Sequence, residues 1–192
     1  MLRWGCIAHL EPTARHEGFD IVPSLVGWAR QEITVRVPHF KLNRANIYHK
    51  LYNQAGTSRA SEFRFPFQDQ RFDLAFLTSV FTHMLATDVR HYLDELSRVL
   101  KPGGQCLTTC FLMNEESHAL IAEGRSTHNL IHPLVECYTS RPDTPEQVIG
   151  YDEELLLGWI AERGFKLRGK YYGSWCGRAR FTSYQDMLVY ET

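Results

Sequence analysis

The sequence predicts an α/β fold with a mostly parallel sheet, helices on both faces and an antiparallel hairpin at the carboxyl end. Three observations carry that expectation. One is the unbroken block FDLAFLTSVFTHMLATDVRHYLDELSRVLKPGGQCLTTCFL at residues 72–112, which reads as strand, helix, stop and strand. A second crossover of the same kind precedes it, from Glu17 to Ile47. The third is a pair of alternating segments, Phe165 to Tyr172 and Tyr184 to Tyr190, whose short joint GSWCGRARFTS favours antiparallel pairing.

In chain order, Glu17 to Val22 (EGFDIV) is a short strand, and Pro23 with Ser24 opens a helix through about Ile33 using Leu25, Val26, Trp28 and Ala29. Asp20 sits where the strand ends. In open α/β folds ligands bind beyond the carboxyl ends of the strands, where an acid can accept two hydrogen bonds from a ribose diol or simply cap the helix. Pro38 to Ile47 (PHFKLNRANI) follows as a strand, with Phe40 and Leu42 alternating. Residues 52–69 mix turn formers with aromatics and form a long connection, in which Arg59 and Arg64 either meet an anion or are solvated.

Phe72 to Leu77 is apolar except for Asp73, as in a strand buried on both faces of a parallel sheet. Val89, Tyr92, Leu93, Leu96, Val99 and Leu100 then form one apolar helical stripe. Arg98 and Lys101 place positive charge in its last turn, and Pro102, Gly103 and Gly104 stop it before a strand from Cys106 to Leu112. Residues 113–149 start with a Met-Asn-Glu-Glu turn and show no clean period. His118, His128, His132 and Cys137 lie near one another there, but without a His-Glu-x-x-His helix or zinc spacing no metal is expected. Asp152 caps a helix with an apolar face of Leu155, Leu156, Trp159 and Ile160, and Gly164 marks its exit. In the hairpin joint, Trp175 and Arg178 either line a substrate mouth or pack the turn.

Composition bounds the function. With 192 residues, 44% hydrophobic and 22% charged, one substantial core and a single domain are expected. A formal net charge of -1 gives no general attraction to nucleic acid or an anionic membrane. No apolar run approaches the roughly 18 residues of a membrane span, so a soluble, cytoplasmic protein is expected. The five cysteines include no Cys-x-x-Cys pair and are expected to be reduced, with Cys106 and Cys110 buried on one strand face.

The order FDLAFLTSVFTH, amphipathic helix, RVLKPGG, strand resembles the fourth and fifth strands of class I S-adenosylmethionine-dependent methyltransferases of the small-molecule type. GFDIVPSLVGWAR resembles the segment that carries their ribose-binding acid. The resemblance implies a Rossmann-like fold, S-adenosylmethionine as cofactor and methyl transfer to an oxygen or nitrogen of a small-molecule acceptor. By position it implies Asp20, with Ile21 beside it, on the ribose. Asn46, where an Asp is common, falls on the adenine amino group, and Ile47 lies against the ring. Thr78 and Ser79 are implied as cofactor neighbours, and His83 as the base that removes the acceptor's proton. The residues also allow blander readings: Asn46 as a turn residue, Ile47 as core, His83 as a structural residue at a helix start. Residues 113–149 resemble the variable lid of the family.

The beginning departs from the pattern. MLRWGCIAHLEPTARHEGFD offers Gly5 and Cys6 but no other glycine before Gly18, where the family has a glycine-rich loop. The first strand is therefore expected to be shortened or missing: either Leu2 to Ile7 fills its place or the chain is an amino-terminally truncated fragment. A methyltransferase-fold protein with weak or no cofactor binding, acting as an interaction module, stays open as an alternative. A dinucleotide oxidoreductase is disfavoured by the absent G-x-G-x-x-G. Oligomeric state is not read from the sequence.

Overall fold

The computed structural model describes residues 14–192, and the chain divides into two compact units, Met1–Arg59 and Ala60–Thr192. The expected strand at Leu2 to Ile7, with Gly5 and Cys6, lies outside the described residues.

In the first unit, β1 (His16–Asp20) leads through α1 (Pro23–Ala29) and a π turn (Arg30–Thr34) to β2 (Phe40–Arg44). Pro23 stands in the first turn of α1, where an N–H would have no helical partner. Ala29 and Ile33, one turn apart, bury against Phe40, with Val37 and Leu42 packed around them. That apolar contact holds the crossover, and β1 and β2 pair in parallel, Asp20 lying opposite Arg44. Both strands thus end on one edge, as the sequence predicts.

The second unit contains β3 (Phe72–Leu77), α2 (Ala86–Val99), β4 (Leu100–Cys110), β5 (Leu112–Met113), α3 (Glu115–Ala122), β6 (His132–Leu134), β7 (Cys137–Thr139), β8 (Ile149–Asp152), α4 (Glu153–Glu162), β9 (Lys166–Tyr171) and β10 (Asp186–Glu191). Its main sheet has the order β3-β4-β10-β9, with β3 and β4 parallel and β10 antiparallel to both its neighbours. This is the expected reversed hairpin, and the architecture is Rossmann-like α/β. Cys106, Cys110, Leu188 and Tyr190 are buried on one face of the sheet. Cys106, Cys110, Cys137 and Cys176 are free thiols. Among the described residues no helix is long and apolar enough to cross a membrane.

Three expectations change. Among the described residues β3 is an edge strand, and Leu74 and Phe76 are 55% and 41% exposed, so it is not buried on both faces. Its apolar run fits a central strand, but strand pairing on the free side is absent from the described sheet. Helix α2 ends at Val99, before the Pro-Gly-Gly, because Leu100 already adopts extended backbone and buries. Lys101 consequently lies beyond the helix and pairs with Asp73 at 2.8 Å. Gly103 (φ 76°) and Gly104 form an irregularity within β4, where a Cβ on Gly104 would meet the Lys101 carbonyl at 2.8 Å. Finally, residues 113–149 are ordered around α3 and a second sheet, β5-β8-β7-β6. The Met-Asn-Glu-Glu segment is a helix start: Asn114 accepts from Ser117 N at 3.0 Å, and Ser117 Oγ accepts from Asn114 N at 2.8 Å.

The long connection is fastened to α2 by Arg98. Its guanidinium donates to the carbonyls of Phe67 and Phe65 at 2.8 and 3.1 Å, to Asp69 at 2.7 Å and to Glu95 at 2.5 Å. Glu95 in turn accepts from Phe65 N at 2.6 Å, and Phe65 packs edge-on to Tyr92. Burial works against the Glu95 charge, yet the bonds from Arg98 and Phe65 N hold its pKa below the usual value. Arg98→Ala leaves these acceptors without their donor and is expected to cost about 2–4 kcal/mol. Urea unfolding measures it. Arg98→Lys, which cannot reproduce the planar fork, is expected to recover under half of the loss. Arg64, by contrast, meets Asp69 at 3.7 Å in an exposed pair.

Candidate functional site

In the first unit the carboxyl edge of the crossover gathers Asp20, Ile21, Asn46 and Ile47. Asp20 Oδ1 accepts from Val22 N at 2.8 Å, a local turn that fixes the carboxylate at the strand end. Its Oδ2 has no partner among the described residues. The Asp20 carbonyl accepts from Ala45 N at 3.0 Å, so the segment carrying Asn46 is tied directly to it. Asn46 Nδ2 donates to Thr57 Oγ1 at 2.7 Å, and its amide oxygen has no hydrogen-bond partner among the described residues. Ile21 is half-buried and Ile47 is buried.

Ile47 is held by residues whose purpose the sequence did not disclose. Asn53 Nδ2 donates to the Ile47 carbonyl at 2.7 Å, and Arg44 donates to Asn53 Oδ1 at 3.3 Å. His49 Nδ1 accepts from Leu51 N at 3.1 Å, closing the tight turn between them. Gly56 lies flat on this segment: a Cβ there would stand 2.3 Å from the Ile47 carbonyl carbon and 2.4 Å from Tyr48 N. Both contacts are backbone and cannot rotate away. Gly56→Ala is therefore expected to displace the 46–48 segment and cost about 3 kcal/mol. A lowered midpoint in urea, with loss of the Asn46–Thr57 contact seen as amide shift changes, is the check.

In the second unit Thr78 and Ser79 lie just past the end of β3 and are exposed. Ser79 has φ 56°, a left-handed conformation uncommon for serine, held by two hydrogen bonds of its own and a third between its two partners. Its N–H donates to Thr109 Oγ1 at 2.8 Å, its Oγ donates to Gln185 Oε1 at 3.1 Å, and Thr109 Oγ1 donates to the same oxygen at 2.5 Å. One glutamine thus clamps the carboxyl ends of β3 and β4 to the start of β10.

His83 lies in a short 3-10 turn, Phe81–His83, which Tyr151 pins by donating to the carbonyls of Phe81 and Met84. His83 Nδ1 donates to the Glu146 carbonyl at 3.1 Å. A carbonyl can only accept, so this bond fixes the Nδ1–H tautomer. Near this end of the unit a second histidine comes into view. His128 Nε2 contacts Tyr184 Oη at 2.8 Å, and Tyr184 Oη contacts Thr127 Oγ1 at 2.8 Å. His128 packs on Phe111, ring centroids 5.1 Å apart. Burial, and then the charge of His83, press the His128 pKa below its usual value. The sequence shows His128 only as a failed metal ligand; its partner is 56 residues away and no local spacing joins them.

Trp175 and Arg178 are packing residues, since both are buried. Asp186 collects them, as it accepts from Trp175 Nε1 at 2.7 Å and from Arg178 at 3.1 Å. Among the described residues no group of His, Cys, Asp and Glu could hold a metal ion.

For a nucleoside cofactor the first unit has a fitting pair of acceptors. A carboxylate oxygen of Asp20 and the amide oxygen of Asn46, both acceptors, have no partner among the described residues at one strand edge beside the half-buried Ile21.

A family model described as methyltransferase domain matches residues 6–108, more than half of the chain. Among solved structures, an S-adenosylmethionine dependent methyltransferase from Mesorhizobium loti aligns with a TM-score of 0.65 at 13% identity, over 98% of this chain and 86% of that one. A SAM-dependent methyltransferase from Methanosarcina mazei aligns with a TM-score of 0.53 at 17% identity, over 100% and 98% of the two chains. The 1,6-didemethyltoxoflavin-N1-methyltransferase of Burkholderia thailandensis, solved with 1,6-didemethyltoxoflavin and S-adenosylhomocysteine, aligns with a TM-score of 0.53 at 13% identity, over 93% of this chain and 61% of that one. At these identities the likeness concerns the fold, and the family match is what assigns kinship. By that match and that fold, the chain belongs to the methyltransferase domain family, the class I S-adenosylmethionine-dependent methyltransferases.

Proposed function

We propose that this protein transfers the methyl group of S-adenosylmethionine to an oxygen or nitrogen of a small molecule. The observation that carries the reading is the pair of acceptor atoms, Asp20 Oδ2 and Asn46 Oδ1, that have no partner among the described residues at the carboxyl edge of a parallel crossover. When bound, S-adenosylmethionine supplies a methyl group already activated by a sulfonium. Asp20 accepts from the ribose hydroxyls, Asn46 accepts from the adenine amino group, and the half-buried Ile21 offers apolar surface to the nucleoside, with Ile47 buried behind the segment that carries Asn46.

In the second unit, Thr78 and Ser79 act as cofactor neighbours, with Ser79 held in its uncommon conformation by Thr109 and Gln185. Aligning the acceptor is the main task, because the carbon under attack needs no further activation. The remaining task is proton removal. It falls to a neutral imidazole of the second unit, where His83 and His128 are the two candidates. Residues 113–149 serve as the lid over a small-molecule acceptor. Calorimetric titration of the full chain with S-adenosylmethionine, S-adenosylhomocysteine and NAD tests the reading. Micromolar-range binding of the first two and none of NAD is expected; no heat with either adenosyl compound would overturn it.

A further inference from the structure

We propose that His128 is the general base of the transfer, acting through Nδ1, with Tyr184 and Thr127 as positioning residues that fix its tautomer. The inference rests on the methyl-transfer reading above.

Proton positions are set along one row of contacts. Thr127 Oγ1 lies 2.8 Å from the Trp175 carbonyl, which has no proton to give, so the threonine hydroxyl donates there. Thr127 Oγ1 is then an acceptor toward Tyr184 Oη, 2.8 Å away, and the tyrosine proton points to it. Tyr184 Oη can only accept from His128 Nε2, also at 2.8 Å, so Nε2 carries the imidazole proton. The opposite order would leave two oxygens facing each other at hydrogen-bond distance with no proton between them. Among the described residues Nδ1 has no hydrogen-bond partner, and it keeps its lone pair.

The rest of the surroundings favour the neutral ring that a base requires. His128 is half-buried against Phe111, and the titratable groups near it are Tyr184 and His83. Burial, and then the charge interaction with His83, press the ring toward its neutral form. An imidazole with one nitrogen anchored and a lone pair kept on the other is the arrangement in which a histidine serves as base. His83 is also anchored, through Nδ1 to the Glu146 carbonyl, within a turn whose Phe81 and Met84 carbonyls Tyr151 holds. As the acceptor oxygen bonds to the methyl carbon, the carbon–sulfur bond breaks with its electron pair remaining on sulfur. The acceptor's O–H proton passes to His128 Nδ1, giving an imidazolium.

Long-range proton–nitrogen correlation spectra of the full chain, labelled at the histidine nitrogens, read the tautomer directly. The expected result is a single Nε2–H form for His128 with a titration midpoint below 6.5. Tyr184→Phe removes the acceptor for that proton and is expected to give a mixture of tautomers. An Nδ1–H form in the unaltered protein, or no tautomer change in Tyr184→Phe, would overturn the assignment. Turnover of S-adenosylmethionine with phenol, benzyl alcohol and benzylamine as probe acceptors supplies the second arm. His128→Gln keeps a donor to Tyr184 but has no basic atom, and kcat is expected to fall about 100- to 10,000-fold with donor affinity within twofold by calorimetry. Undiminished kcat in that variant removes His128 as the base. Absence of donor binding in the unaltered protein would instead sink the methyl-transfer reading, which the spectra do not address.

Discussion

Asp186→Ala is expected to destabilise the second unit by about 3–5 kcal/mol. The carboxylate is fully buried and accepts from Leu112 N at 2.7 Å, Gly173 N at 2.7 Å, Trp175 Nε1 at 2.7 Å and Arg178 at 3.1 Å. Burial raises its pKa despite these four donors, so the charge is held at a desolvation cost. The cost of holding it does not make its removal cheap. Alanine would leave two backbone N–H groups and an indole N–H unpaired, together with a guanidinium that is 4% exposed. Each group that loses its partner is costlier than the bond was worth, because no water replaces the oxygen. Arg178 would retain Glu116 at 2.8 Å and its stacking over Tyr172 at 4.4 Å, so the hairpin joint should loosen rather than detach. Pairing Asp186→Ala with Arg178→Met separates the terms. The double variant restores only the part due to the buried guanidinium that has lost one of its two carboxylate partners, and is expected to be more stable than Asp186→Ala while remaining below the unaltered protein. Equal stability of Asp186→Ala and the unaltered protein in urea unfolding would show that the network contributes nothing.

That network also marks where the sequence stops being legible. The block from Phe72 to Leu112 announces its elements because each depends on neighbours within one or two turns: the stripe Val89, Tyr92, Leu93, Leu96 needs only the helical period. The hairpin of β9 and β10 is legible for a related reason, as a short joint permits few connections. Asp186 is different. It bonds to Leu112, 74 residues earlier, and nothing in the local string distinguishes a buried aspartate at a strand start from an exposed one. Trp175 and Arg178 were for that reason open between lining a mouth and packing, and the Asp186 bonds decide for packing. The exposure of Leu74 and Phe76 is likewise a matter of which strand lies beside β3, information that an apolar run does not carry. His128 and Tyr184 meet only because residues 113–149 fold into α3 and a small sheet, where the sequence shows no period. Asp20 and Asn46 were legible as positions, since strand ends can be read from pattern; their roles depend on the side-chain oxygens.

Those oxygens set the second large effect. Asp20→Ala is expected to weaken S-adenosylmethionine binding by at least about 100-fold, since bonds from two ribose hydroxyls to a carboxylate are worth roughly 1.5–3 kcal/mol each. The same change removes the bond from Val22 N, 2.8 Å from Oδ1, whose loss alone costs stability of order 1 kcal/mol. Asp20→Asn distinguishes the two effects: its amide oxygen can still receive Val22 N, while the charge that strengthens the ribose contact is gone. Binding should then fall with little change in thermal unfolding. The opposite sign is expected at Asn46. Asn46→Asp replaces a neutral acceptor by a carboxylate, and the Thr57 hydroxyl, now 2.7 Å from Nδ2, can reverse to donate to it. Affinity for the methyl donor is expected to rise several-fold, read by calorimetry at constant ionic strength. If Asp20→Ala binds as tightly as the unaltered protein, the ribose assignment is wrong. If Asn46→Asp binds more weakly, the amide faces the ligand with its nitrogen, and the adenine contact is an acceptor atom of the ring.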